Sequence, residues 1–320
     1  MKKLLVAAAF GALAAPTTAL AECGEVSVAE MNWASASIIS KITEFLMVQG
    51  YGCSVTLVPS ATTTAVTSLA ENNEPDVVPE LWVNSAPLYN QLEAEGKAVT
   101  AANVFSDGGT EAWFVPDYVV AAHPELATIE GILANPDLVG GRFHNCPDGW
   151  GCRIANDNLV KAFDFAGNGM EVFNHGSGET LSAAMASAYE NKEPFFGYMY
   201  GPTAVLGRYP MVAVDMGPYD AEIHACNQTV DCATPAKSSY PAAPVLTVAT
   251  ADFADRNPEV YDLVSKISFT SLELSQLLAW QADNGASAEE AAVHYLMESK
   301  DTVMGWVNEE AAVKLSAILQ

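Results

Sequence analysis

Apolar and polar positions change their period along this chain in a regular way. Residues 25–30 (Glu-Val-Ser-Val-Ala-Glu) alternate, which predicts a strand. From Ser35 to Gln49 the apolar residues Ile38, Ile39, Ile42, Phe45 and Leu46 recur at helical spacing, and Gly50 is expected to stop that helix. Ser54 to Val58 predicts a second strand, Thr62 to Glu71 a second helix and Asp76 to Trp82 a third strand. Such alternation opens an α/β domain with a parallel sheet, whose ligands collect at the carboxyl ends of the strands. Trp33 and Trp82 each lie at or just past such an end, so both are expected to face one cleft.

A turn at Asp107-Gly108-Gly109 and a short aromatic strand through Trp113 to Pro116 come next, and then a fresh α/β pattern. It predicts a helix around Ile129–Asn135, another behind Cys152, a strand at Met170–Phe173, a helix at Thr180–Glu190 and a strand at Pro194–Tyr200. Pro241 and Pro244 fix an extended return connection to a strand at Val245–Thr250. Residues 257–320 read as helices in which Leu263, Ile267, Leu272, Leu274, Leu277 and Leu278 are core positions and Trp280 and Trp306 are packing. The chain thus predicts two lobes, residues 22–115 plus 241–320 and residues 116–240.

The first residues carry a different signal. Lys2 and Lys3, the apolar run Leu4–Ala15 and the small residues Ala19-Leu20-Ala21 predict a secretory signal peptide over residues 1–21, and hence a periplasmic protein. The formal charge of −25 becomes −27 without Lys2 and Lys3, a balance that repels nucleic acid and anionic lipid. Export turns the six cysteines into disulfide candidates. Cys146 with Cys152 and Cys226 with Cys232 are local pairs of equal spacing, which leaves Cys23 with Cys53. No spacing resembles a zinc site and the five histidines fall in no ligand pattern, so neither metal nor cofactor is expected.

The segment Cys146-Pro147-Asp148-Gly149-Trp150-Gly151-Cys152 carries the most chemistry. Closed into a ring, it would set Trp150 at its tip, beside the free N–H groups of a helix N-terminus that attract negative charge. An aromatic face attracts a desolvated cation by roughly 2 kcal/mol or more. Together they describe a seat for a small zwitterion; the bland alternative is a disulfide hairpin with a half-buried packing Trp.

Asn32-Trp33, Asp76-Val77-Val78-Pro79-Glu80-Leu81-Trp82, Trp150-Gly151-Cys152 and Tyr198-Met199-Tyr200-Gly201-Pro202 together resemble the substrate-binding proteins of glycine betaine and choline ABC transporters. So do Asn257-Pro258-Glu259, Ala286-Ser287-Ala288-Glu289-Glu290-Ala291-Ala292 and Trp306-Val307, and the resemblance spans nearly the whole mature chain. It implies a type II periplasmic-binding-protein fold whose two α/β lobes close on a ligand in the cleft between them. It also implies a box of aromatic residues around a quaternary ammonium head, a membrane permease as partner and a monomer. Carried over by motif, Trp150, Trp33 and Trp82 are box walls, the N–H groups of Gly151 and Cys152 are anion contacts, and Tyr200 stands where the family often has Trp in an aromatic-Thr-Pro context. Gly201 replaces that Thr.

Trp113 and Glu111 join the expected site from their place at the crossing between lobes. A carboxylate facing the box would favour choline or trimethylamine N-oxide over glycine betaine and dimethylsulfoniopropionate, whose anionic ends it repels. Otherwise Glu111 is a solvated loop charge. Glu80 reads as a strand-end or surface charge, and Arg142 and His144 as structural. A methylated onium has no N–H to lose on leaving water, whereas a primary ammonium would forfeit hydrogen bonds that rings cannot replace. A binding protein for another zwitterion, such as an amino acid, is the alternative. A secreted hydrolase finds little support, because His175 stands where a Gly-x-Ser-x-Gly motif around Ser177 needs its first Gly.

Overall fold

The structure is a computed structural model that describes residues 23–319. The expected signal peptide, residues 1–21, lies outside the described residues. Among the described residues no helix is long and apolar enough to cross a membrane.

Strand β1 (Glu25–Met31) buries Val26, Val28, Ala29 and Met31 and pairs in parallel with β2 (Ser54–Ser60) and β3 (Val77–Trp82). Helix α1 (Ala34–Tyr51) buries Ile38, Ile39, Ile42 and Leu46, and α2 (Thr62–Asn72) follows β2. Strand β3 is buried at every position, as a central strand covered on both faces is. Its Pro79 cannot donate to a ladder, and the neighbouring strand β10 (Val245–Thr250) slips register there, at Thr247, whose hydroxyl bonds the Pro79 carbonyl at 2.9 Å. With β4 (Ala98–Asn103) the first sheet has the order β2-β1-β3-β10-β4, and β10 runs antiparallel to both neighbours.

The second sheet repeats this plan. Strand β6 (Arg142–Asn145) pairs in parallel with β7 (Glu171–Asn174) and β8 (Gly197–Gly201), while β5 (Thr110–Pro116) is antiparallel to β8 and β9 (Met211–Ala213). The order is β7-β6-β8-β5-β9. Two mixed α/β sheets of this kind are the expected two-lobed architecture, with one correction to its boundary. β5 belongs to the second sheet, so residues 110–115, read with lobe one, lie in lobe two. The sequence pattern restarts after Pro116, but ladder pairing with β8 is a long-range choice that the pattern does not carry. The lobes are joined by residues 104–109 and 242–244, which run side by side: Val104 N–H donates to the Val245 carbonyl at 3.0 Å and Gly109 N–H to the Ala243 carbonyl at 2.8 Å.

A second correction concerns Gly50. Helix α1 runs past it and ends where Gly52 takes a left-handed conformation, its N–H returning to the Met47 and Val48 carbonyls. Gly50 is instead a contact residue, because a Cβ there would stand 3.1 Å from Ala311 Cβ in the C-terminal helix Glu309–Ile318. Trp306 packs on Phe269 and Tyr295, and Trp280 stacks on His294 with ring centroids 3.8 Å apart, so both are packing residues as read, whereas Leu272, read as core, is 67% exposed at the start of the helix Ser271–Asn284, which buries Leu274, Leu277 and Leu278. The disulfides Cys23–Cys53, Cys146–Cys152 and Cys226–Cys232 are all present.

Gly50→Val overfills this helix contact and should lower stability by about 1–3 kcal/mol. Thermal unfolding followed by circular dichroism should show a reduced midpoint, whereas an unchanged midpoint would mean the C-terminal helix does not press on α1.

Candidate functional site

The ends of β1, β3 and β8, the start of β5 and the first turn of the helix Gly151–Ala162 meet between the lobes. They form a small cavity lined by Trp33, Trp82, Trp150 and Tyr200, with Glu111, Ser85, Thr62, Tyr198, Gly151 and Cys152 completing the wall. The rings meet edge to face. Trp150 stands 5.5 Å from Trp33 and 5.6 Å from Tyr200, and Tyr200 stands 5.4 Å from Trp82, at interplanar angles of 74–77°.

Each indole spends its polar edge on a protein acceptor. Trp33 Nε1 and Trp82 Nε1 donate to the same oxygen, Glu80 Oε1, at 2.7 and 2.9 Å, and Ser35 Oγ donates to it at 3.0 Å. Trp150 Nε1 donates to Asn32 Oδ1 at 2.7 Å, so a lobe-two ring is tied to lobe one. A second tie joins the Gly149 carbonyl to the N–H and hydroxyl of Thr63 at 3.2 and 3.1 Å. The lobes are therefore closed on each other, and Trp150, expected to stand out at the tip of its ring, is only 4% exposed.

Glycine permits the closest approaches. A Cβ at Gly151 would lie 2.0 Å from the Ser85 carbonyl oxygen, one at Gly109 would lie 2.4 Å from the Trp82 ring, and one at Gly178 would lie 2.8 Å from Trp150. Ser177, beside it, caps the helix Gly178–Asn191 by accepting from Thr180 N–H, which is a structural role.

Glu111 faces the cavity and is 7% exposed, so it is not a solvated loop charge. Tyr198 Oη donates to its Oε1 at 2.7 Å, and its Oε2 has no partner. Burial without a cation pushes its pKa up to about 7. Glu80, read as a strand-end or surface charge, is fully buried behind Trp33 and Trp82 and is likewise pushed up to about 7 by burial. A carboxyl inside an otherwise unbroken apolar strand, two positions before an aromatic strand end, was the signal for it. Tyr198 was also missed, although it shares a face of β8 with Tyr200. Ser85 and Thr62 carried no signal in sequence.

Trp113 is the expected wall residue that does not reach the cavity. It is fully buried in lobe two, donates Nε1–H to Asn156 Oδ1 at 2.9 Å and packs among Phe143, Phe163, Phe165 and Phe196. It shares a face of β5 with Glu111 but lies two residues, about 7 Å, further along the strand, beneath the helix Gly151–Ala162. Arg142 pairs with Glu171 at the surface, and His144 Nδ1 lies 2.9 Å from His175 Nε2; neither lines the cavity.

The family model described as the substrate binding domain of ABC-type glycine betaine transport systems matches residues 24–298. Among solved structures, the glycine betaine/L-proline-binding protein from Borrelia burgdorferi superimposes with a TM-score of 0.73 at 15% identity, covering 91% of this chain and 99% of that one. An ABC-transporter choline-binding protein in complex with choline gives 0.72 at 18% identity, covering 93% and 99%. A lactococcal binding protein in its closed, glycine betaine-bound conformation gives 0.67 at 16% identity, covering 89% and 99%. At these identities the structures establish the shared fold. No curated protein sequence matches the chain.

Glu111 holds its proton more tightly folded than unfolded, so folding takes up a proton between pH 4.5, its ordinary value, and about 7. The associated stability is complete below the lower value and is lost as pH rises through the upper one, a loss on the order of 1–3 kcal/mol. The melting temperature of the ligand-free protein should fall across this window, and Glu111→Gln should flatten the fall. Equal slopes for the two proteins would mean that Glu111 titrates as a solvated group.

Proposed function

Because the chain belongs to the family of substrate-binding domains of ABC-type glycine betaine transport systems, we propose that it captures choline or trimethylamine N-oxide for delivery to a membrane permease. Members of this family are binding proteins and not enzymes, and the substrate class of its transporters is the glycine betaine/choline type. The periplasm is where such a carrier works, in keeping with the signal peptide read from residues 1–21. The finer choice of ligand rests on the wall of the cavity.

The observation that carries it is Glu111. It places a carboxyl on the wall with one unpartnered oxygen, and among the described residues no Lys, Arg or His lines the cavity. Four aromatic rings suit the diffuse charge of a methylated head, which has no N–H to satisfy. A ligand whose tail is a carboxylate would meet Glu111 as a like charge, at a cost that rises with burial. Choline avoids this with a hydroxyl, which the ionised Glu111 accepts, and the N-oxide with an oxygen to which the protonated Glu111 donates. The N–H groups of Gly151 and Cys152 at the start of the Gly151–Ala162 helix speak for the second reading, a carboxylated betaine held at the helix N-terminus.

Calorimetric titration with choline, trimethylamine N-oxide, glycine betaine, dimethylsulfoniopropionate and proline separates these readings. Either or both of the first two should bind at least about tenfold more tightly than the carboxylated pair, about 1.4 kcal/mol, and proline should give no heat. Carboxylated ligands in the lead would hand the site to the helix N-terminus, and no heat from any onium would reject the ligand class. Choline affinity should rise as pH increases through about 7 and N-oxide affinity should fall, because the two ligands use opposite forms of Glu111. Trp150→Ala should weaken binding by roughly tenfold or more while the protein remains folded; an unchanged dissociation constant would remove Trp150 from the site.

A further inference from the structure

Glu80 poses a physical problem that ligand contact does not answer, because it lies behind the cavity wall and is not part of it. Three donors, the indole N–H groups of Trp33 and Trp82 and the Ser35 hydroxyl, converge on its Oε1, while Oε2 is buried with no partner. Three donors on one oxygen are the company of an ionised carboxylate, which has more acceptor capacity on each oxygen than a neutral acid needs. Yet no Lys, Arg or His forms an ion pair with Glu80 among the described residues. A buried carboxylate with only dipoles for company is costly. The two rings that it grips are both walls of the cavity, and they stand at the ends of neighbouring strands.

We propose that Glu80 is the positioning and selectivity residue of the site: it locks Trp33 and Trp82 into one wall and supplies, from behind the rings, the negative charge that ranks a full cation above a net-neutral ligand with the same methylated head. The proposal rests on the methylated-onium reading and goes beyond it, since it assigns charge selection to a group that the ligand does not touch. Two effects act in one direction. An indole whose N–H donates to a carboxylate is polarised toward a more negative face, because hydrogen-bonded groups polarise one another at low dielectric, and such a face holds a cation more strongly. The carboxylate also acts through space, and in a dry interior its attraction is weakly screened. The bound cation is then the missing partner of the buried charge.

Glu80→Gln tests this because its side-chain oxygen can still accept from both indoles while the charge is gone. The probes are tetramethylammonium, a full cation, and trimethylamine N-oxide, which is net neutral. Affinity for tetramethylammonium should fall about tenfold, and that for the N-oxide by less than about threefold, with a circular dichroism spectrum like that of the wild type. An equal loss for both probes would reduce Glu80 to a structural role and overturn the proposal, as would no loss for either. A ligand-independent readout is the ¹H–¹⁵N spectrum of the six tryptophan indoles. Two indole resonances should move upfield in Glu80→Gln and stay in place in Glu111→Gln; their failure to move would overturn the clamp. If the wild type bound neither probe, the onium reading itself would fall, and the indole spectrum would still decide whether Glu80 grips the two rings.

Discussion

A carboxyl group taken out of water must find donors or a cation, and the centre of this molecule is built around two carboxyl groups that have only donors. Glu80 collects two indole N–H groups and a hydroxyl; Glu111 collects a tyrosine hydroxyl. Each keeps an oxygen without a partner. The arrangement costs stability when the charges form, and it leaves the interlobe cavity electron-rich from both lobes. Aromatic rings suit the same demand, because their N–H and O–H edges serve the carboxyls while their faces remain for the cavity.

The fold delivers these groups from opposite sides. Each lobe is a mixed five-stranded sheet whose parallel strands end toward the cleft, so that β1 and β3 bring Trp33 and Trp82 and β8 brings Tyr200. The paired connections at residues 104–109 and 242–244 let β5 cross over and place Glu111 opposite them. Closure then depends on backbone approaching side chains more closely than a Cβ allows, at Gly109 over Trp82 and at Gly151 against Ser85. The bonds from Trp150 to Asn32 and from Thr63 to Gly149 fasten the lobes on the same side as the cavity.

Much of this is legible in the sequence. The period changes marked most strands and helices, and export together with equal spacing paired the cysteines. Of the rings that line the cavity, Trp33 and Trp82 stand out in the sequence as aromatic residues at strand ends, Trp150 because it sits in a disulfide ring at a helix start, and Tyr200 only through the family motif. The failures were of one kind. Trp113 looks like Trp82 in sequence, yet its ring lies one pleat repeat too far along β5 and fills the lobe-two core. Gly50 looks like a helix stop and is a helix contact, and Glu80 looks like a strand-end charge and is the most enclosed acid of the site.

The sequence by itself determined the local periodicity, the disulfide framework, the two α/β halves and the family, since each is encoded in residues close together or in motifs that stand in order. Only the tertiary structure decided which sheet receives β5, which of the aromatic residues share a cavity and where the two carboxyls find their donors. These are contacts between segments far apart along the chain, such as Trp33 with Glu80, Asn32 with Trp150 and Glu111 with Tyr198. A carboxylate's charge, a ring's exposed face and a glycine's missing Cβ acquire their meaning from the atoms packed against them, and those atoms arrive only when the lobes are assembled and closed.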